Sequence, residues 1–270
     1  MSLVDTKWLE ENLDKVKIID CSWDLPSENR NFEEEFKNEH IPNAIFFDLD
    51  KNSKKDTDLP HMLPSKVEWD QIVSELGISK NDRIVIYDNS NVISSCRCWY
   101  TFIYFGHNPK LVSVLNGGFR KWKKDNKVIS KKIIKFSRTK YMGNELNTLV
   151  KDKNKIDINI SKKEFVVVDA RSKERFEGKV SDPRKNVRSG SIPNSVCLPF
   201  SQVIDEEFCF KSSEHLKKLF SKTLENRCDF PVFSCGSGVT ACVLALAYSL
   251  VKANYLPVIY DGSWAEYGKI

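Results

Sequence analysis

The residue best placed for chemistry in this chain is Cys235. The segment Val232-Phe233-Ser234-Cys235-Gly236-Ser237-Gly238-Val239-Thr240-Ala241-Cys242 reads as a buried strand, a tight loop and an apolar helix, with the cysteine at the turn. Gly236 and Gly238 allow backbone conformations that turn successive N–H groups inward, toward the sulfur or an anion it holds. The helix that follows presents its N-terminus to the same spot, where the dipole and the unsatisfied donors favour thiolate over thiol. The pattern therefore predicts an ionised, nucleophilic Cys235. A small buried cysteine beside two turn glycines is the plainer alternative. Phosphate binding fits less well, because neither G-x-G-x-x-G nor G-x4-G-K-[ST] is present. A cysteine phosphatase would need an arginine where Ala241 stands.

The elements that must hold this loop are written twice along the chain. Val16 to Asp20 matches Val166 to Asp169, each a short buried-strand pattern ending in aspartate. Ile41-Pro42-Asn43 matches Ile192-Pro193-Asn194, and Arg83 to Asp88 matches Pro231 to Cys235. Leu115-Asn116-Gly117-Gly118-Phe119 matches Tyr260-Asp261-Gly262-Ser263-Trp264. Four landmarks in one order at nearly constant spacing predict duplicated α/β domains, each a mainly parallel sheet flanked by helices. Helices are expected over Glu33 to Glu39, Lys66 to Leu76, Ser95 to Phe105, Ser213 to Lys222 and Val239 to Val251. The boundaries read as an N-terminal domain over 1–125, a Lys-rich connector over 126–160 and a C-terminal domain over 161–270. In the first copy the loop begins Asp88-Asn89-Ser90-Asn91, with no cysteine opposite Cys235 and no glycine, so that domain is expected to be catalytically silent.

Composition narrows the function classes. The chain has 270 residues, 41% apolar and 29% charged, enough for two compact cores. Its longest nearly pure apolar stretch, Ala241 to Val251, is far short of the roughly 20 residues of a membrane-spanning helix, so no membrane partner is expected. Met1 to Asp14 carries Asp5, Glu10 and Glu11 and places Trp8, Leu9 and Leu13 at helical spacing, unlike a secretory or transit segment. A cytoplasmic product is favoured over a mitochondrial one. The net charge of +5 comes largely from the solvated stretch Lys121 to Lys155, whose lysines form no single-faced stripe and have few aromatic neighbours, which argues against nucleic acid as a partner. The eight cysteines (Cys21, Cys96, Cys98, Cys197, Cys209, Cys228, Cys235 and Cys242) form no C-x-x-C pair and meet no His-x3-His array, so neither zinc nor a disulfide framework is expected.

Cys235 to Thr240, Cys-Gly-Ser-Gly-Val-Thr, together with Tyr260-Asp261-Gly262-Ser263-Trp264, Leu115-Asn116-Gly117-Gly118-Phe119 and His40-Ile41-Pro42 with Ala44, resembles the 3-mercaptopyruvate sulfurtransferases, tandem-domain enzymes of the rhodanese family. The resemblance covers nearly the whole chain. It implies that Cys235 carries sulfur as a persulfide, and that the loop residues Gly236, Gly238, Val239 and Thr240 line the substrate side. The related thiosulfate sulfurtransferases carry Arg and Lys inside this loop, whereas the loop here is uncharged, which suits a carboxylate donor recognised elsewhere.

Two arginines bind substrate in this family, and Arg175 and Arg184, nine positions apart in Arg175-Phe176-Glu177-Gly178 and Asp182-Pro183-Arg184, match them. Guanidinium forks grip carboxylates in a bidentate way; without the resemblance, ion pairs with Glu174 or Asp182 would explain both. Arg171 and Arg188 are weaker candidates. Asp48-Leu49-Asp50 and His61-Met62-Leu63-Pro64 resemble the family segment that reaches the active cysteine, which implies a relay of Asp50, His61 and Ser237 that moves a proton to the departing product. Relatives have histidine at Ser191 and glycine at Asn194, a difference expected to alter only a turn. The resemblance implies no metal or organic cofactor, a small anionic sulfur donor, and thioredoxin, a low-molecular-weight thiol or cyanide as acceptor. A monomer is expected. Thiosulfate as donor, or a sulfur-carrier module without turnover, are the alternatives.

Overall fold

The computed structural model describes residues 2–225, 230–252 and 255–270; Cys228 lies outside them. The chain divides into two units, Met1–Lys55 with Leu63–Leu146 and Glu206–Cys209, and Asp56–Met62 with Asn147–Asp205 and Phe210–Ile270. The strands of the first are β1 (Leu3–Val4), β2 (Lys17–Asp20), β3 (Ala44–Phe46), β4 (Ile84–Tyr87) and β5 (Val112–Leu115). Its helices are α1 (Thr6–Glu10), α2 (Phe32–Asn38), α3 (Lys66–Glu75), α4 (Ser95–Tyr104) and α5 (Gly118–Lys124). The second unit repeats the series with β6 (Val150–Lys151), β7 (Val167–Asp169), β8 (Val196–Cys197), β9 (Val232–Ser234) and β10 (Ile259–Tyr260). Its helices are α6 (Lys153–Lys162), α7 (Lys173–Phe176), α8 (Ser213–Leu224), α9 (Val239–Ser249) and α10 (Ser263–Tyr267).

Each unit holds one five-stranded parallel sheet, ordered β1-β5-β4-β2-β3 in the first and β6-β10-β9-β7-β8 in the second. The order is the same in both, as duplication requires. Parallel strands are covered on both faces and so lose the polar alternation of half-exposed strands; Ile84–Tyr87 and Val232–Ser234, the middle strands, are buried at every position. The cores form around Tyr87, Phe119 and Trp122 in the first unit and around Val167, Tyr260 and Trp264 in the second.

The five helices expected from periodicity are present within about two residues of their predicted ends. Ser65 starts α3 with a capping box to Glu68, and α9, apolar on every side, is buried from Ala241 through Tyr248. The lysine-rich stretch over 126–160 is not irregular throughout. Its end contains β6, which pairs with β10, and α6, which buries Ile156 while its lysines meet water. Two short segments also group away from their neighbours in sequence. Asp56–Met62 belongs with the second unit and Glu206–Cys209 with the first, where Lys124 donates to Glu207 at 2.5 Å and the Arg120 guanidinium lies 3.9 Å from the Phe208 ring centre.

Candidate active site

The Cys235 loop leaves the C-terminal end of β9, in the middle of the second sheet. Its course is fixed by backbone bonds from the segment entering α10: Trp264 N–H donates to the Cys235 carbonyl at 2.9 Å and Ala265 N–H to the Gly236 carbonyl at 2.9 Å. The Cys235 amide donates in turn to Ser263 Oγ at 3.1 Å, and that hydroxyl donates to the Tyr260 carbonyl at 2.8 Å. Ser263 and Trp264 were legible only as the end of a repeated landmark; their task is to clamp the loop. Gly238 then turns the chain into α9 with a φ of 77°, a left-handed conformation that side chains disfavour. Val239, buried, and Thr240, half-buried, open the helix, whose first-turn amides lack intrahelical acceptors. Cys235 itself is 2% exposed.

Gly236 leaves room for two guanidiniums. A Cβ built there would lie 3.1 Å from both terminal nitrogens of Arg184 and 3.5 Å from Nη2 of Arg175. Both guanidiniums therefore rest against the backbone next to the cysteine. They are held by Asp182, whose side chain is 1% exposed: Arg175 Nη2 donates to one carboxylate oxygen at 2.6 Å, Arg184 Nη1 to the other at 3.2 Å. The Arg184 amide also donates to Asp182, at 3.0 Å. Burial pushes the Asp182 carboxyl up, but the Arg175 hydrogen bond, the Arg184 amide and the two cations outweigh it, so it titrates below the ordinary aspartate value. Arg175 Nε is a buried donor for which the described residues supply no acceptor.

Ser237, 4% exposed, lies with its Oγ 2.9 Å from His61 Nδ1. His61 is 7% exposed and holds a φ of 59°, a region that residues other than glycine seldom enter. Asp50 belongs to the first unit, where its carboxylate accepts a hydrogen bond from Trp23 Nε1 at 3.0 Å. The structure thus brings Cys235, Ser237, His61, Arg175 and Arg184 into one unit.

The two weaker arginine candidates have structural partners. Arg171, 3% exposed, makes a forked pair with Asp169 and donates to the Gly190 carbonyl, its guanidinium 4.5 Å from the Trp264 ring centre. Arg188 lies on the Trp264 and Tyr267 rings at 4.8 and 5.5 Å. Asp182, read from the sequence only as a partner that would explain the arginines away, is the residue that joins them; Asp-Pro-Arg beside a second arginine was the available signal. Burial above all raises the thiols of Cys21, to well above its ordinary value, and of Cys197, to about 12. No cluster of histidine, cysteine and carboxylate side chains able to hold a metal ion occurs among the described residues.

A doubled parallel α/β fold with a cysteine on one strand-to-helix loop is the architecture of the rhodanese-like proteins, and residues 5–125 and 152–269 each match the rhodanese-like domain. The chain belongs to that family. It is 38% identical, over 98% of its length and 75% of the other's, to thiosulfate/3-mercaptopyruvate sulfurtransferase 1, mitochondrial, of Arabidopsis thaliana. It is 36% identical to the 3-mercaptopyruvate sulfurtransferase of Mus musculus, covering 98% of this chain and 91% of that protein. The crystal structure of the 3-mercaptopyruvate sulfurtransferase SseA from Escherichia coli superposes with a TM-score of 0.87 at 29% identity, over 98% of this chain and 99% of that one.

Proposed function

We propose that this sulfurtransferase takes its sulfur from 3-mercaptopyruvate and carries it as a persulfide on Cys235. The supporting observation is the placement of two arginine guanidiniums against Gly236, the residue after the cysteine. A carboxylate gripped there leaves the rest of a three-carbon donor within reach of the thiol. The Cys235 thiolate attacks the donor sulfur, an S–S bond forms and the donor's C–S bond breaks, leaving its electron pair on pyruvate enolate. The proton that was on the donor thiol passes to the enolate carbon through Ser237 and His61, which are already within hydrogen-bond distance of each other. The products are pyruvate and a Cys235 persulfide anion, which the loop amides stabilise. A second thiol, thioredoxin or a small one, then takes the outer sulfur and regenerates the thiolate, so the kinetics are ping-pong. In this scheme the first unit performs no covalent step.

The donor is tested by comparing kcat/KM for 3-mercaptopyruvate and thiosulfate with one thiol acceptor. A clear preference for 3-mercaptopyruvate is expected, and a preference for thiosulfate would overturn the choice of donor. Turnover that persists in Cys235→Ser would remove the site altogether.

A further inference from the structure

The arginine pair contains a built-in counter-anion. Asp182 is buried to 1% side-chain exposure, while the arginines it bridges keep 23% each, so the carboxylate sits behind the guanidiniums and the guanidiniums face outward. The geometry is that of a receptor whose charge has been partly cancelled from within: two cations and one anion leave the receptor itself, the Cys235 sulfur not counted, with a single net positive charge. Arg171 adds nothing to it, because Asp169 neutralises that guanidinium at 2.7 Å. A receptor of one net positive charge is matched to a donor of one negative charge. A dianion would bring one charge too many into a half-buried site, where an uncompensated charge is costly.

We propose that Asp182 determines donor specificity, selecting a singly charged α-keto carboxylate over a doubly charged inorganic sulfur donor by holding the Arg175–Arg184 receptor at one net positive charge. The inference rests on the reading that these arginines bind the donor. Asp182 touches the receptor and not the reacting atoms, so it is a positioning and charge-setting residue. Its second effect is geometric: through one carboxylate oxygen on each it holds both guanidiniums in place.

The test is Asp182→Asn, assayed with 3-mercaptopyruvate and with thiosulfate at constant ionic strength. Removing the negative charge strengthens the field on the dianion more than on the monoanion. The ratio of kcat/KM for thiosulfate to that for 3-mercaptopyruvate is expected to rise about tenfold or more. The KM for thiosulfate should fall more than that for 3-mercaptopyruvate while kcat for either changes little, the mark of altered ground-state binding. An equal fall for both donors would overturn the proposal, since a merely structural role moves them together. Asp182→Glu keeps the charge and should keep the wild-type donor ratio even where both rates fall; a ratio shifted as in Asp182→Asn would also overturn it. Should Asp182→Asn fail to fold, competition in the wild-type protein decides: pyruvate should inhibit more strongly than sulfate at equal ionic strength, and the reverse order contradicts the proposal. Failure of the underlying reading looks different. In that case Arg175→Lys and Arg184→Lys would leave both donors unaffected, whereas an unchanged ratio in Asp182→Asn beside donor loss in the arginine variants sinks only the role of Asp182.

Discussion

Cys235 and Asp88 stand at the same point of two copies of one sheet. Asp20 pairs with Tyr87 in the first and Asp169 with Ser234 in the second, so the next residues, Asp88 and Cys235, are equivalent. The match extends to a hydrogen bond: Phe119 N–H donates to the Asp88 carbonyl as Trp264 N–H does to that of Cys235, both at 2.9 Å. What differs is the side chain and what surrounds it. The Asp88 carboxylate accepts from Ser90 N–H at 2.9 Å, Ser90 Oγ at 2.6 Å and Ser95 N–H at 3.0 Å, the last at the start of α4. The first loop therefore closes on an anion that belongs to the chain. In the second the equivalent residue is Cys235, the proposed carrier of sulfur, and two arginines stand beside the residue that follows it. At the mouth of the central strand the first half holds a nest of donors closed on Asp88, and the proposal for the second half is that the same turn serves a sulfur that reacts.

The comparison breaks most sharply at its two defining residues. Cys235→Ser should abolish transfer, a loss of at least about 10³-fold in kcat measured by pyruvate release. Asp88→Ala should leave kcat/KM within about twofold. It should instead lower unfolding stability by about 1–3 kcal/mol in urea titration, because the buried Ser90 and Ser95 donors lose their acceptor. A large loss of turnover with intact stability would show that the first unit does more than this account allows. His61→Gln should cost roughly 10²-fold in kcat and flatten the pH–rate profile, the role argued for a proton carrier. Arg184→Ala should lower kcat/KM by roughly 10- to 100-fold, chiefly through KM.

A smaller effect comes from the aspartates one residue position back in the neighbouring strand. Asp169 faces the Arg171 guanidinium, whereas Asp20 accepts from Ser22 N–H and Ser22 Oγ, and burial above all raises its carboxyl to about 7. A carboxyl whose folded pKa exceeds its unfolded one binds its proton more tightly in the folded state. Its contribution is fully present below the unfolded pKa near 4 and is lost as pH rises toward about 7. Stability should therefore fall more over that window in the wild type than in Asp20→Asn, as read from denaturant midpoints at a series of pH values. Equal pH slopes would contradict the assignment.

Much of this comparison was legible in the sequence, for physical reasons that differ by element. The central strands showed because parallel strands buried on both faces leave uninterrupted apolar runs, as in Ile84–Tyr87. The turn at Asn194 also showed: it holds a φ of 63°, and asparagine is the residue that most readily replaces glycine in that conformation. The strand-to-helix loop that carries Cys235 was legible from its apolar flanks and its glycines. The bridge from Asp182 was not, because an acid next to an arginine reads as a surface pair until burial is known. Helix α6 was hidden for a related reason, its buried Ile156 and Asn159 being outnumbered by lysines. The placement of His61 with the second unit, where its ring meets Ser237 from 176 positions away, is encoded by no local pattern.

The central claim is that one thiol among eight carries the sulfur. Intact mass spectrometry of the protein after brief exposure to 3-mercaptopyruvate without acceptor, followed by peptide mapping, tests it directly. One added sulfur atom confined to the Cys235 peptide, and removed by a thiol, is the predicted result. No added sulfur, or sulfur located on another cysteine, would contradict the account.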